Sequence, residues 1–350
     1  MTESILERPH LPQTRPLMTG PATLAQVMEE MEVLEQAQGA AHYRPLPTGF
    51  QPLDDVLNGG LRAGELLIIG GPFGVGKTIF GLQAARNAVA TDPDCVAMYV
   101  CYEHDHAHLF SRLACLESAE QGMGDDALTL RTLGKMALSA NGHQGLIATL
   151  RQDPRYAPVM QAMDRYAERL ILIKASGSSS TLNQIEEWGA ALATTSPRSL
   201  MVVDYLQKIP VDHSLLQPET EVTTHLTQGL KELAMSLGLR IIAIAAADRS
   251  GLKAKRMRLA DLRGSSAIQY EADIGLILNN KFNIVSREHL VYNLAKAEAM
   301  RNWVVMSVEK NRAGRNAVDM EYLLDAAHFR LGVRGNYVRE RLVDEKMILS

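Results

Sequence analysis

The chain has 350 residues, of which 22% are charged and 46% hydrophobic, and its formal net charge is −4. That mixture excludes wholesale disorder and gives one enlarged α/β domain enough apolar chain for a substantial core. It also excludes a globally basic nucleic-acid binder, so any polyanion contact must come from local clusters. Cys95, Cys101 and Cys115 form no C-x-x-C pair, which fits a reducing cytoplasm and argues against a disulfide framework or a zinc ribbon. No apolar run approaches the roughly 18 residues that span a bilayer, and no signal-peptide core opens the chain. The expectation is a cytoplasmic protein with no membrane partner.

Residues 1–22 read as a disordered tail, interrupted by Pro9, Pro12, Pro16 and Pro21. Thr23 then opens a helix with Gln26 as its capping-box partner, and Gly39 ends it. Leu24, Val27, Met28, Met31 and Leu34 recur along one side, while Glu29, Glu30, Glu32 and Glu35 occupy the other. Such a solitary amphipathic helix must bury its stripe on its own domain, the default reading, or on a neighbouring subunit. Residues 40–47, with Pro45 and Pro47, complete a linker unit spanning 23–47.

From 48 to 331 strands and helices alternate. Apolar runs predict strands at Leu66–Ile69, Val96–Cys101, Leu170–Ile173, Leu200–Val203, Ile241–Ala245 and Ile274–Leu278. Helices are expected at Thr78–Ala90, near 106–118 and near 222–237, with mostly helical chain over 125–168. Alternation of this kind implies a mainly parallel sheet covered by helices on both faces. Stretches 303–309, 318–324 and 328–331 look like extra strands on one side. Residues 332–350 read as a peripheral, basic tail.

The strongest chemical signal is Gly71-Pro72-Phe73-Gly74-Val75-Gly76-Lys77-Thr78, a G-x-x-x-x-G-K-[ST] loop between a predicted strand and a predicted helix. Its glycines let backbone N–H groups turn inward around phosphates, and the helix N-terminus adds positive potential. Lys77 can reach the β- and γ-phosphates, and the Thr78 hydroxyl is placed to ligate Mg²⁺, so ATP and Mg²⁺ are the expected ligands. Asp204 ends a second strand, where parallel sheets bind ligands, and can hold the Mg²⁺ water shell. The plainer alternative makes it the cap of the following turn. Glu103 follows the strand at 96–101 and can orient or deprotonate an attacking water. His104 and His108 stand at metal-sharing spacing but lack an obvious third ligand; Asp105 reads better as the N-cap of the next helix.

Two basic clusters interrupt the acidic chain. Arg249, Lys253, Lys255, Arg256, Arg258 and Arg263 face only Asp248 and Asp261 across 248–263. Either this is a solvated loop or it grips a phosphate backbone, and without aromatics it would track the backbone and not stack on bases. Lys310, Arg312 and Arg315 follow a late strand and are candidates for neutralising a transferring phosphate, including one bound by an adjacent subunit.

Taken together these segments resemble the C-terminal ATPase domain of the DnaB-type replicative helicases, a RecA-like family of hexameric motors. The resemblance rests on Thr48-Gly49-Phe50 with Leu53-Asp54, the Gly71–Thr78 loop, and Glu103 followed by Leu109 and Arg112. It continues through Val203-Asp204-Tyr205-Leu206-Gln207, Asp261-Leu262-Arg263, Ala267-Ile268 and Ala272-Asp273, and ends at Lys310, Arg312 and Gly314. It implies a RecA-like P-loop NTPase core over 48–331, with Lys77 catalytic as well as phosphate-binding. It makes Glu103 the catalytic base, Asp204 the Mg²⁺-associated carboxylate, and Lys310 and Arg312 the fingers that reach a neighbour's γ-phosphate. Arg249, Lys253, Lys255, Arg256 and Arg263 would track single-stranded DNA in the channel of a homo-hexameric ring, and the Thr23–Gln38 helix would dock on the adjacent subunit.

Three departures stand out. The family's helical N-terminal domain is not found, so the resemblance carries no primase or loader contact. Ala245-Ala246-Ala247 replaces a segment in which the family has a phosphate-sensing glutamine. Gly264 stands where the family has a glutamate. The leading expectation is an ATP-dependent DNA helicase or translocase; a RadA- or KaiC-like ATPase and a non-motor assembly protein remain as alternatives.

Overall fold

Leu66-Leu67-Ile68-Ile69-Gly70 carries no polar side chain, so such a segment is stable only where both of its faces are covered. The computed structural model, which describes residues 20–38, 43–139, 145–211, 218–248, 251–286 and 294–343, builds it into the middle of a ten-stranded sheet. Six strands are parallel: β1 (Leu66–Gly70), β2 (Cys95–Cys101), β3 (Leu170–Lys174), β4 (Arg198–Asp204), β5 (Arg240–Ile244) and β6 (Ile274–Asn280). They lie side by side in the order β3-β2-β4-β5-β1-β6. Beyond β6 the direction reverses: β7 (Trp303–Asn311), β8 (Val318–Asp325) and β10 (Asn336–Tyr337) extend the sheet antiparallel, and β9 (Arg330–Leu331) pairs with β8.

Side chains along each central strand alternate between two cores. Leu67 and Ile69 join Leu53 of α2 (Leu53–Val56), Phe80 of α3 (Lys77–Thr91), Leu113 of α4 (His106–Glu120), Leu133 of α5 (Leu130–Ser139), Leu150 of α6 (Leu146–Gln152) and Met160 of α7 (Ala157–Asp164) on one face. Leu66 and Ile68 join Ile185 of α8 (Leu182–Thr195), Leu230 of α9 (Glu219–Leu237) and Ile268 of α10 (Ser265–Glu271) on the other. The two-period of a strand thus feeds two helical layers, the doubly covered α/β sheet expected from the sequence. Helix α8 is an addition to the sequence reading; its buried residues Leu182, Ile185, Gly189 and Leu192 do keep a helical spacing.

Helix α1 spans Leu24–Gln38, and its N-terminus is the reciprocal box expected: Thr23 N donates to Gln26 Oε1 at 2.8 Å, and Gln26 N to Thr23 Oγ1 at 3.3 Å. Burial on its own domain, the default from amphipathicity alone, is not observed: Leu24, Met28 and Val33 are exposed. Residues 1–19 and Gly39 lie outside the described residues. Residues 333–343 are not the peripheral tail expected, and residues 344–350 of that tail lie outside the described residues. Asn336 and Tyr337 pair with β8, Gly335 N donates to Gln51 O at 2.6 Å, and Glu340 meets the buried Lys281 at 2.9 Å. The sequence reading weighs only the polarity of this stretch, whereas its backbone groups complete a sheet edge that would otherwise be unpaired. Among the described residues no helix is long and apolar enough to cross a membrane.

Candidate active site

The glycine loop leaves β1 at the C-terminal edge of the sheet and turns into α3. Gly71 has a φ of +152°, and a Cβ there would stand 2.4 Å from the Leu278 carbonyl oxygen, so the tight passage of the loop beside β6 admits only glycine. Lys77, at the first position of α3, folds its side chain across the loop: Nζ donates to the Gly71 and Pro72 carbonyls at 2.8 and 2.7 Å. Burial pulls the Lys77 pKa down to about 8, against the opposing pull of the Asp204 and Glu103 carboxylates. Phe73 and Gly74 project from the loop tip, and Val75 is buried beneath it.

Asp204, at the end of β4, is 1% exposed. The Tyr99 hydroxyl of β2 donates to its Oδ2 at 2.6 Å, and the Thr78 hydroxyl also reaches the carboxylate. Burial raises the Asp204 pKa, while these two hydroxyls act to lower it. A hydroxyl and a carboxylate converging beside a phosphate loop form the oxygen-only, incomplete donor set that suits Mg²⁺, which keeps waters and takes substrate phosphates as further ligands. Glu103 is exposed two residues beyond β2, close enough to bear on the Lys77 charge. Lys77, Thr78, Asp204 and Glu103 therefore converge at one edge of the sheet.

The histidines beside Glu103 are arranged for packing. His104 and His108 stack with centroids 4.5 Å apart, and Arg112 Nη2 lies 2.9 Å from His104 Nε2. Partial burial, then Arg112 and His108, push the His104 pKa down. Asp105 caps α4 by accepting from His108 N at 2.8 Å, as expected. Among the described residues no group of three His, Cys, Asp or Glu side chains could hold a metal.

Lys310 and Arg312 sit elsewhere. Asn311 is opposite Ile274, Ile274 is opposite Leu67, and Arg312 N donates to Asp273 O at 2.9 Å, so both cations lie at the N-terminal edge of β1 and β6. Five residues of strand, about 16 Å at ~3.3 Å each, separate the level of Arg312 from Gly71. Lys310, two strands aside from β1 and level with Gly275 and Ile68, lies about 10 Å along the strand from Gly71. Lys310 Nζ donates to the carbonyls of Gln269 and Tyr270, and Arg312 pairs with Asp273 at 3.1 Å and also donates to Tyr270 O. Arg312 remains 50% exposed in its side chain. Neither cation can reach the glycine loop of its own chain.

The basic stretch after β5 forms a strap across β6, β7 and β8, with Leu262 over Gly70 and Asn279 bonded to both backbone groups of Met257. One expected DNA contact is overturned here. Arg256 is 7% exposed; it pairs with Asp319 at 2.5 Å and donates to Ser307 Oγ at 3.2 Å, so its charge serves the sheet. Arg258 pairs with Glu309 at 3.1 Å. Lys253 and Lys255 are exposed, and Lys255 lines a groove of about 450 Å³ shared with Pro72, Phe73 and Leu252 of loop and strap. Arg263 is half-buried, and Arg249 lies outside the described residues.

Gln207, which the sequence marks only as part of a motif, accepts from Ala246 N at 2.9 Å and donates to Arg263 O at 3.4 Å, bridging the two ends of the strap. It thus links the Asp204 strand end to the segment where the triple alanine stands. Gly264 has a φ of +71°, and a Cβ there would lie 2.4 Å from Thr223, which explains why a glutamate has no place at this position in this chain. Tyr99 is a further site residue that sequence reasoning does not single out, and Asp273 is marked only as part of a motif, because each acts through partners far away in the chain.

The family model described as the DnaB-like helicase C terminal domain matches residues 45–330. The replicative DNA helicase DnaB of Geobacillus stearothermophilus is 26% identical over 257 residues, covering 72% of this chain and 50% of its own length. That of Treponema pallidum is 28% identical over 242 residues, covering 68% and 48%. The chain therefore spans about half the length of the curated relatives it matches. Among solved structures, an isolated ATPase domain superposes with a TM-score of 0.68 at 18% identity, over 89% of this chain and 99% of that one. A DnaB-like replicative helicase, described with its interactions with primase, superposes with a TM-score of 0.65 at 19% identity, covering 89% and 67%. These two likenesses carry the RecA-like fold, and the match over 45–330 carries the family: the chain belongs to the DnaB-like helicase C-terminal domain family.

Proposed function

We propose that the chain is an ATP-dependent DNA helicase or translocase that hydrolyses ATP between the subunits of a ring and tracks single-stranded DNA. The observation that carries this reading is the separation of its cations. Lys77 serves the chain's own glycine loop, whereas Lys310 and the exposed Arg312 stand at the opposite edge of the same sheet, out of reach of that loop. Cations so placed are useful to phosphoryl transfer only when a second chain brings its own loop to them.

In this reading the inward N–H groups of Gly71–Thr78 and the Lys77 ammonium bind the phosphates of ATP. Thr78 and Asp204 would hold Mg²⁺, which would supply charge neutralisation for the phosphates. Glu103 orients the attacking water and accepts its proton. Arg312 and Lys310 of the neighbouring copy stabilise the charge that spreads over the γ-phosphate oxygens in the transition state. Lys253 and Lys255, with Arg249 and Arg263, contact the DNA backbone. Gln207 joins the strap to the Asp204 strand end and supports a link between nucleotide and DNA that does not need the missing glutamine. The exposed apolar side of α1 supports its docking on an adjacent copy.

Mixed assemblies test the shared pocket. Lys77→Ala and Arg312→Ala protomers are each expected to be inactive alone, and mixing them should recover ATP turnover at pockets that pair an intact loop with an intact finger. Absence of recovery, with both variants folded and co-assembled, would overturn the shared pocket. Unwinding of a forked duplex tests the motor: ATPase activity indifferent to single-stranded DNA would favour an assembly ATPase instead.

A further inference from the structure

Asp273 ends the turn between α10 and β6 and is 6% exposed. Its Oδ2 accepts from the Leu66 amide at 2.8 Å and from the Lys231 ammonium at 2.7 Å. Its Oδ1 accepts from Arg312 at 3.1 Å, and its main-chain oxygen accepts from Arg312 N at 2.9 Å. One buried residue thus grips Arg312 by side chain and main chain together. The second half of the grip is the last turn of α10, where the Tyr270 carbonyl takes the other Arg312 nitrogen and the Gln269 and Tyr270 carbonyls take Lys310. Unsatisfied carbonyls at a helix end attract cations.

We infer that Asp273, with the carbonyl end of α10, is the seat that positions Arg312 for the phosphate bound by a neighbouring chain. The inference rests on the shared-pocket reading. An arginine on the surface has many rotamers, and each one frozen beforehand is freedom not lost at the moment of reaction. Asp273 fixes one guanidinium nitrogen and Tyr270 another, while half of the side chain stays accessible to solvent. Asp273 is itself tied to β1 through Leu66 N, so the seat is fixed with respect to the sheet. Asp273 touches no nucleotide of its own chain; it is a positioning residue.

Asp273→Asn should lower kcat for ATP about tenfold or more while leaving the KM within about twofold, because a finger acts on transition-state charge and not on nucleotide binding. Lys231→Met, which removes the other partner of Asp273 without touching Arg312, should leave kcat within about twofold. Mixed with Lys77→Ala protomers, whose seats are intact, Asp273→Asn protomers should regain turnover. An unchanged kcat, a KM effect alone, or equal losses from Lys231→Met would each overturn the seat and leave an ordinary structural ion pair. The Arg312→Ala with Lys77→Ala mixture is run beside it. Recovery there without recovery for Asp273→Asn sinks the seat alone, and failure there sinks the shared pocket and the seat with it. Should Asp273→Asn not fold, the double variant Lys231→Met/Asp273→Asn removes both buried charges together and carries the same test, since matched removal is better tolerated than an orphaned charge.

Discussion

The two edges of the central sheet are built on opposite terms. At the C-terminal edge of β1, eight consecutive residues make the phosphate loop, and Lys77 closes on carbonyls of that same loop. At the N-terminal edge, Arg312 takes its position from Asp273 and Tyr270, about forty residues away, and keeps half of its side chain in solvent. The first edge encloses its cation within its own loop, and the second holds Arg312 in pairs while leaving half of it in solvent. Proteins place permanently charged groups in water or in pairs; a cation that is both paired and half-exposed is what the proposed shared pocket requires.

Breaking the second edge should have the largest effect. Arg312→Ala is expected to lower kcat by about 10³-fold or more, the usual worth of an arginine finger, with nucleotide affinity nearly unchanged. Lys77→Ala should instead lose nucleotide affinity itself. Equilibrium binding of a fluorescent ATP analogue beside steady-state turnover separates the two, and a loss of affinity in Arg312→Ala would place both cations in one pocket of one chain. Next in size is Glu103→Gln, expected to lower turnover by about 10²- to 10⁴-fold with binding retained, since only the proton acceptor is removed. Retained turnover would move the base elsewhere.

The first edge is sharpened by pH. Burial holds the Lys77 pKa at about 8, below its ordinary 10.5, so the ammonium is lost as pH rises through about 8. Nucleotide affinity should then fall about tenfold per pH unit above that point, with proton uptake on binding, and Lys77→Arg should remove the dependence. The sign for folding is opposite. Between pH 8 and 10.5 the unfolded chain holds this proton and the folded chain does not, so the contribution of Lys77 to stability rises with pH across the same window. Calorimetric binding in buffers of different ionisation enthalpy, beside denaturant titrations, reads both; affinity that is flat to about pH 9.5 would contradict the buried ammonium.

These contrasts also explain what can be read from the sequence. The phosphate loop, Asp204 and the strands that carry them are legible because each signal is local: a fixed spacing, an apolar run, a residue at its end. The parallel sheet follows from β1, β2, β4 and β5, whose runs are buried along their whole length. Lys310 and Arg312 are legible only as a cationic cluster that could serve a phosphate; which edge of the sheet they occupy depends on an antiparallel pairing of β7 with β6 that no local pattern announces. Arg256 misleads for the same reason: within its own stretch it is one more cation, and the carboxylate that claims it, Asp319, arrives 63 residues later on β8. The final stretch is misjudged because Asn336 and Tyr337 are polar in side chain and join the sheet through backbone.

The strap gives the smallest effects and divides into two kinds of cation. Arg256→Ala removes a buried partner of Asp319 and Ser307 and should cost about 3 kcal/mol of stability, the lower end of the range for a broken buried pair because Asp319 keeps some access to water. Its effect on DNA binding should follow from that loss of stability alone. Lys253→Ala and Lys255→Ala touch exposed side chains, so each should leave stability within about 0.5 kcal/mol. If each contacts one phosphate of a single strand, each should instead reduce the slope of log affinity against log salt by about 0.7. Urea midpoints and a salt series of single-stranded DNA binding place every variant on two axes. Lysine variants that shift the midpoint but not the slope would mean that the strap holds the sheet and nothing more, and the DNA track would have to be sought on another surface.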